Sequence, residues 1–393
     1  MRLLFAAVLA AMLLAPAAAA QEPSLDELIA RARKRDAEAE YSLGMRTYEG
    51  RGVPRNPGQA FRLVERAAKR GHLEAQNAYG FFLQHGVGTG ADPVRAREWY
   101  EIAAARGNAR AQVNLGWLYE HGLGGEHSPT LALEWYRKAA AQGFVEGNFN
   151  AASLLEAGAG APPDLAAAAA GYAHAADKKF ALASYRLGLL LEQGKAPGGK
   201  YGSALVRYQT AARAGVPEAQ FAAARLLLAN GGGANAREAV DWLQQSARQE
   251  YAPAQAMLAE AAGQYRIALQ LGADPASEAQ ALGWLQRAAD QGYRDAQLGL
   301  AIAFEEGRGT APNPATAASW YEKAGAGGAA EAWFRLALLY DDGKGVARDT
   351  VRARDLWGRA AALGHEGARD RLERLLGPNL LQKATEDPFK GLR

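Results

Sequence analysis

The segment Ala111-Gln112-Val113-Asn114-Leu115-Gly116-Trp117-Leu118-Tyr119-Glu120-His121-Gly122, followed shortly by Trp135-Tyr136-Arg137-Lys138-Ala139-Ala140, is one copy of a pattern that fills the chain. Ala111, Leu115, Gly116 and Tyr119 stand at offsets 0, 4, 5 and 8, which share one face of an α-helix. A small residue recurs every 36 residues at Ala39, Ala75, Ala111, Gly147, Ala183 and Ala219. It continues at Ala254, Ala296, Ala332 and Ala368, with one spacing of 35 and one of 42. Each anchor predicts a helix, helix A of its repeat. Glycine pairs such as Gly86-Val87-Gly88, Gly122-Leu123-Gly124 and Gly343-Lys344-Gly345 follow it, and a glycine that can take positive φ closes a helix without strain.

A second helix, helix B, begins in the same register. Asn56, Asp92, Ser128, Asp164, Asn235, Ser277, Asn313 and Asp349 offer a side-chain oxygen to the first turn, and only Lys200 departs. Proline follows at 57, 93, 129 and 314, where a missing N–H is harmless. Trp99, Trp135, Trp242, Trp284 and Trp320 come next, with alanine pairs four residues on. Indole against alanine is the large-into-small fit expected to hold the helices together. A single hairpin cannot bury its apolar stripe, so each repeat must pack on the next.

The pattern Ala-Gln, then Gly, Tyr and Gly-x-Gly, then Trp-Tyr with Ala-Ala, resembles the Sel-one-like repeat (SLR), a relative of the tetratricopeptide repeat. The resemblance covers about nine repeats, from Asp36 to His365. It implies an all-α protein, a right-handed α-solenoid of helix-turn-helix repeats of 36 residues. It is specific for fold and weak for activity, because one fold serves many functions.

Three repeats depart. The fourth has Gly171-Tyr172 in place of tryptophan-tyrosine, and the sixth has Gly231-Gly232-Gly233 at its turn. The seventh, from Ala252 to Tyr293, lacks the Gly-x-Gly and carries about six extra residues. Residues Gln264 to Asp274 are expected to lengthen its first helix or to form a bulging loop, as a binding element or as a bend. Residues 1–20 read as a signal peptide: Arg2, the apolar run Leu3 to Leu14, Pro16, then Ala18-Ala19-Ala20. That run is shorter than the roughly 18–20 residues that span a bilayer. The expectation is an exported bacterial protein, periplasmic or else secreted, with no integral membrane segment after cleavage. Residues 21–35 read as a capping helix, with Ser24 and Glu27 as a capping box. Residues 366–377 read as the C-terminal cap and 378–393 as a flexible tail.

Composition excludes much chemistry. Charged residues make up 22% of the 393 residues and aliphatic plus aromatic residues 49%, so the chain can bury a core. Cysteine is absent, which removes disulfides, thiol nucleophiles and thiolate metal sites. A net charge of +3 gives no argument for nucleic acid. No P-loop, G-x-S-x-G, S-x-x-K or H-E-x-x-H motif occurs, and Gly86 to Ala91 matches a dinucleotide fingerprint only as a repeat turn. His85, His121 and His127 lie near one loop edge, but the same position elsewhere holds Glu49, Gln193 or Asp342, which marks it as a polar loop position. Relatives linked to β-lactam hydrolysis are cysteine-rich, and their activity does not carry over. No enzyme activity, cofactor or metal is expected.

What remains is a surface. Helix A offsets 2 and 6 lie away from the packed face and carry Tyr41, Met45, Phe81, Trp117, Phe149, Tyr185, Phe221, Arg225 and Phe334. Offset 3 adds Asn114, Arg186 and Arg335. An aromatic ladder with amide and guanidinium partners on a concave groove suits an extended peptide or a helix of a protein partner. The expected function is that of a scaffold, adaptor or regulator in the cell envelope. The alternative is a peptidoglycan- or glycan-binding protein, since aromatic ladders also stack on sugar rings.

Overall fold

The computed structural model describes residues 23–230 and 233–376. The signal-peptide and tail expectations (1–20 and 378–393) fall outside the described residues. The described residues are helices joined by turns, with no strand among them, and no helix is long and apolar enough to cross a membrane. The chain divides into two units at Ala204/Leu205. Unit 1 holds α1 (Leu25–Arg33), α2 (Ala37–Glu49), α3 (Pro57–Lys69), α4 (Leu73–His85), α5 (Pro93–Ala105), α6 (Ala109–His121) and α7 (Pro129–Ala141). It continues with α8 (Val145–Ala157), α9 (Leu165–Asp177), α10 (Ala181–Glu192) and the short α11 (Gly198–Tyr201). Unit 2 holds α12 (Ala204–Arg213, whose first residue belongs to unit 1), α13 (Pro217–Asn230), α14 (Gly233–Arg248), α15 (Ala252–Ala259), α16 (Ala261–Leu271) and α17 (Glu278–Asp290). It ends with α18 (Arg294–Glu306), α19 (Pro314–Ala326), α20 (Ala330–Asp342), α21 (Thr350–Ala362) and α22 (Glu366–Leu376). Each unit is an α-solenoid in which helices A and B alternate, most of them packing on the next.

The hairpin is set by its turn. After α6, Gly122 takes φ +66° and the Leu123 N–H returns to the Leu118 carbonyl at 3.0 Å, which closes the helix. Ser128 then caps α7 through Leu131 N–H, while its own N–H donates to Tyr119 C=O at 2.9 Å. The same tie joins Asp92 to Leu83 and Asn313 to Phe304. Asn56, Asp92, Asp164, Asn313 and Asp349 cap as expected. Two positions differ. Asn235 lies inside α14, which starts at Gly233, and the Ser277 hydroxyl turns to Asp274 at 3.1 Å.

The large-into-small contact is the expected one only in part: Trp284 and Trp320 are buried in the core among alanines. The position after the tryptophan supplies a core residue too: Tyr100 and Tyr136 are fully buried while Trp99 and Trp135 are only half-buried, and Tyr172, which follows Gly171, and Tyr321 are fully buried at the same position. The rings of Tyr100 and Tyr136 lie on Gly80 and Gly116, where a Cβ would meet ring carbons at 2.8 and 2.7 Å. Each phenol donates to the end of its own helix A, Tyr100 to Gln84 at 2.8 Å and Tyr136 to Glu120 at 2.6 Å. A phenol needs such a partner when its ring is buried. The half-buried Trp135 lies under a cation, with Lys138 Nζ 3.8 Å from its ring, and Trp99 stands edge-on to Tyr79 at 5.2 Å.

Two further contacts join consecutive repeats. The second glycine of the turn meets the repeat before it: a Cβ on Gly124 would lie 2.7 Å from the Pro93 carbonyl carbon, and one on Gly88 2.6 Å from that of Pro57. The glutamine after the anchor reaches back to the preceding helix B. Gln112 Nε2 donates to Ala104 C=O at 3.1 Å and Gln220 Nε2 to Ala212 C=O at 3.2 Å, a second donor to carbonyls that also accept the turn N–H groups of Gly107 and Gly215.

The seventh repeat is broken rather than lengthened. Its first helix stops at Ala259, turns at Glu260 (φ −74°, ψ 135°) and restarts as α16. Met257 C=O packs so closely on Gly263 that no Cβ fits there. The extra residues thus form most of a separate helix, and Gln264 on it takes over the cross-repeat role, accepting from Gln291 at 3.0 Å.

Candidate protein-binding face

The offset-2 residues of helix A sit beside the residue that precedes the next helix A. Tyr41 stacks on His72 with ring centroids 4.8 Å apart, and Phe334 stacks on His365 at 4.3 Å. Phe149 lies between Tyr172 at 5.5 Å and Phe180 at 5.0 Å, and Phe221 faces Tyr251 at 5.7 Å. All of these expected ladder residues are half-buried. Burial, with Glu74 nearby, raises the Tyr41 phenol to about 12.

The histidines in these stacks also cap helices. His72 Nδ1 accepts the Ala75 N–H at 3.1 Å, so Nε2 carries the proton shared with Glu38 at 2.7 Å. His365 repeats this with Ala368 at 3.1 Å and Glu331 at 2.8 Å. Asn108 does the same with an amide, accepting from Ala111 at 2.8 Å and donating to Glu74 at 3.0 Å. Burial alone would raise the Glu331 carboxyl, but hydrogen bonds from His365 and Arg335 outweigh it and hold the carboxyl low.

Arg186 and Arg335 are engaged within the fold. Arg186 reaches Glu156 of the preceding repeat at 2.6 Å, and the same carboxylate accepts from Tyr172 at 2.7 Å. Arg335 bridges Glu305 at 3.2 Å and Glu331 at 2.6 Å, and Glu305 also accepts from Tyr321. Burial would lower both guanidinium groups, but these carboxylates and phenols hold them above their ordinary value. Asn114 donates to Asn77 of the preceding repeat at 2.9 Å. Met45 is 5% exposed and belongs to the core, Arg225 is exposed, and Tyr185 is half-buried.

The offset-6 aromatics of repeats 2 and 3 differ from these. The half-buried Phe81 and Trp117 pair with histidines on their own helices, Phe81 with His85 at 4.3 Å and Trp117 with His121 at 4.4 Å. His85 and His121 are exposed, so these are two equivalent ring pairs on adjacent repeats of unit 1. Among the described residues, no group of three or more His, Asp or Glu is arranged to hold a metal ion. The cap histidines, the tyrosine–carboxylate–arginine chain and the back-reaching glutamines were missed as contacts in sequence. Only the 36-residue recurrence of the residues involved hinted at them.

These features define an α-solenoid of short helical hairpins joined by side-chain bridges. The Sel1 repeat model matches residues 37–72, 73–108, 109–144, 145–176, 181–216, 217–251, 252–293, 294–328 and 330–365. The chain belongs to the Sel1 repeat family, whose members typically mediate protein–protein interactions. It is similar to c5321, a protective antigen present in uropathogenic Escherichia coli strains and displaying an SLR fold. Identity is 29% over 92% of this chain and 78% of that one, with a TM-score of 0.51. It is also similar to a Sel1 repeat protein from Oxalobacter formigenes, at 25% identity over 57% of this chain and 91% of that one, with a TM-score of 0.50. No curated protein matches it significantly.

Proposed function

We propose that this protein is an exported, non-catalytic scaffold of the bacterial envelope that holds a partner protein on the helix-A face of unit 1. One observation carries the reading: the ring pairs Phe81–His85 and Trp117–His121 repeat in register on adjacent repeats, part-exposed. Rigid aromatic side chains at a fixed spacing supply contact area at small entropic cost. Family membership supports a protein ligand. The export element of the proposal rests on residues 1–20.

Crosslinking in the native envelope, followed by affinity capture, tests it. Wild-type chain should retain a defined partner, and the F81A/W117A/Y185A variant should lose it while keeping its helical circular dichroism. Unchanged capture by that variant overturns the assignment of the face. Saturable binding to purified peptidoglycan without protein capture replaces the reading with the glycan one. Cell fractionation should place the mature chain, beginning at Gln21, outside the cytoplasm, and a cytoplasmic chain retaining Met1 would refute export.

A further inference from the structure

The chain's formal net charge is only +3, yet four arginines line one pocket in unit 1. The pocket holds about 460 Å³ and lies between α1 and the first repeat. Arg33 and Arg35 come from the end of α1, and Arg66 and Arg70 from the end of α3. One acid, Glu40, faces them, so the lining carries three uncompensated positive charges. The neighbouring acid Asp36 does not offset them, because Arg31 holds it at 2.9 Å.

Glu40 shows what these arginines recognise. It is 1% exposed, with Oε1 3.0 Å from Arg66 Nε and Oε2 3.0 Å from Arg70 Nε. A carboxylate gripped on both oxygens is the geometry guanidinium groups favour. Glutamine occupies the equivalent position in Gln76, Gln112 and Gln220, so the acid is particular to this end of the solenoid. Arg33 and Arg35 are exposed, and neither guanidinium group has a hydrogen-bond or ion-pair partner among the described residues. Between the charges, Ile29, Leu43 and Leu63 give the pocket apolar walls. Its volume falls within the roughly 300–1,000 Å³ of small-ligand sites.

We infer that this pocket binds a carboxylate carried on a short aliphatic body, with Arg33 and Arg35 contacting the carboxylate and Ile29, Leu43 and Leu63 the aliphatic part. Such a group could be a free aliphatic acid or the last residue of a peptide. The inference does not depend on the helix-A face, and its variants touch none of the residues proposed there.

Isothermal titration of the full chain tests it with octanoate, with a short peptide ending in leucine as free acid, and with the same peptide amidated. Saturable binding of a carboxylate probe is expected, weakening about tenfold or more in the R33A/R35A variant. Preference for octanoate names a free acid as the source; preference for the peptide acid names a chain terminus. E40Q should bind several-fold more tightly, because it removes the one negative charge in the pocket lining, releases Arg66 and Arg70 from it, and installs the residue used in other repeats. Arg33 and Arg35 are exposed, so their removal should leave the melting curve unchanged. No saturable binding of either acid below about 10 mM, equal binding of the amide, equal binding by R33A/R35A, or no gain in E40Q overturns the inference.

Discussion

Gly124 and Gly107 both adopt left-handed backbone, at φ +72° and +89°, but for different reasons. A Cβ at Gly107 would meet nothing within 4 Å, whereas one at Gly124 would lie 2.7 Å from the Pro93 carbonyl carbon and 3.1 Å from Val94 N. Gly107→Ala should therefore cost only the conformational penalty, about 1–2 kcal/mol. Gly124→Ala adds overpacking of about 1–3 kcal/mol, for a total of roughly 2–5 kcal/mol. The difference, about 1–3 kcal/mol, corresponds to a roughly 5- to 160-fold larger local opening constant. Native-state hydrogen exchange at the amides of α5 and α6 measures this directly, which suits a repeat array that need not unfold in one step. Equal protection in the two variants would refute the claim that the second glycine of the turn sets the spacing between repeats.

The buried phenols predict alkaline instability. Burial raises Tyr100 and Tyr136 well above their ordinary value, and Tyr172 from 10.0 to about 12. A group whose folded pKa is raised keeps its full stabilisation below the unfolded value and loses it as pH climbs towards the folded one. The melting temperature should hold to about pH 9.5 and then fall, each phenol contributing up to about 1.4 kcal/mol per pH unit; a constant melting temperature to about pH 11.5 would contradict this. Gln112→Leu removes the second donor to Ala104 C=O, which keeps the Gly107 N–H at 3.0 Å, and the acceptor of Gln142, and should cost about 0.5–1.5 kcal/mol in urea unfolding. His72→Asn should stay within about 0.5 kcal/mol of wild type, because Asn108 caps by the same geometry, while His72→Ala should lose about 1–2 kcal/mol. Equal melting temperatures for the Asn and Ala variants would remove the cap assignment.

The tyrosine–carboxylate–arginine chain bears on the proposed face. Arg186 and Arg335 hold carboxylates of the preceding repeat and so act in the coupling of repeats, while Phe81 and Trp117 present partly open rings. A partner on this face meets aromatic rings and histidines more than free guanidinium groups. The part-exposed pairs in repeats 2 and 3 are where mutation should separate binding from stability.

Period and punctuation were legible in the residues alone. Small residues at offsets 0 and 5, glycine at the turns and Asn, Asp or Ser before helix B are local choices, imposed by helix geometry and by orphan amide groups. Which large residue fills the space beside the small one was not local. Tryptophan and tyrosine are adjacent in sequence, and only the crossing of helix B over Gly116 decides that Tyr136 enters the core while Trp135 stays at the rim under Lys138. The glutamine's partner is likewise a carbonyl on another helix, the second turn glycine answers to a backbone one repeat away, and Arg186 answers to Glu156 across a repeat boundary. The seventh repeat's extra residues could be counted in sequence, but the break at Glu260 follows from the close approach of Met257 to Gly263. Sequence by itself determined the helical hairpin and its number of copies, because those depend on neighbours along the chain. The tertiary structure alone decided which side chains couple one hairpin to the next, because that depends on neighbours in space.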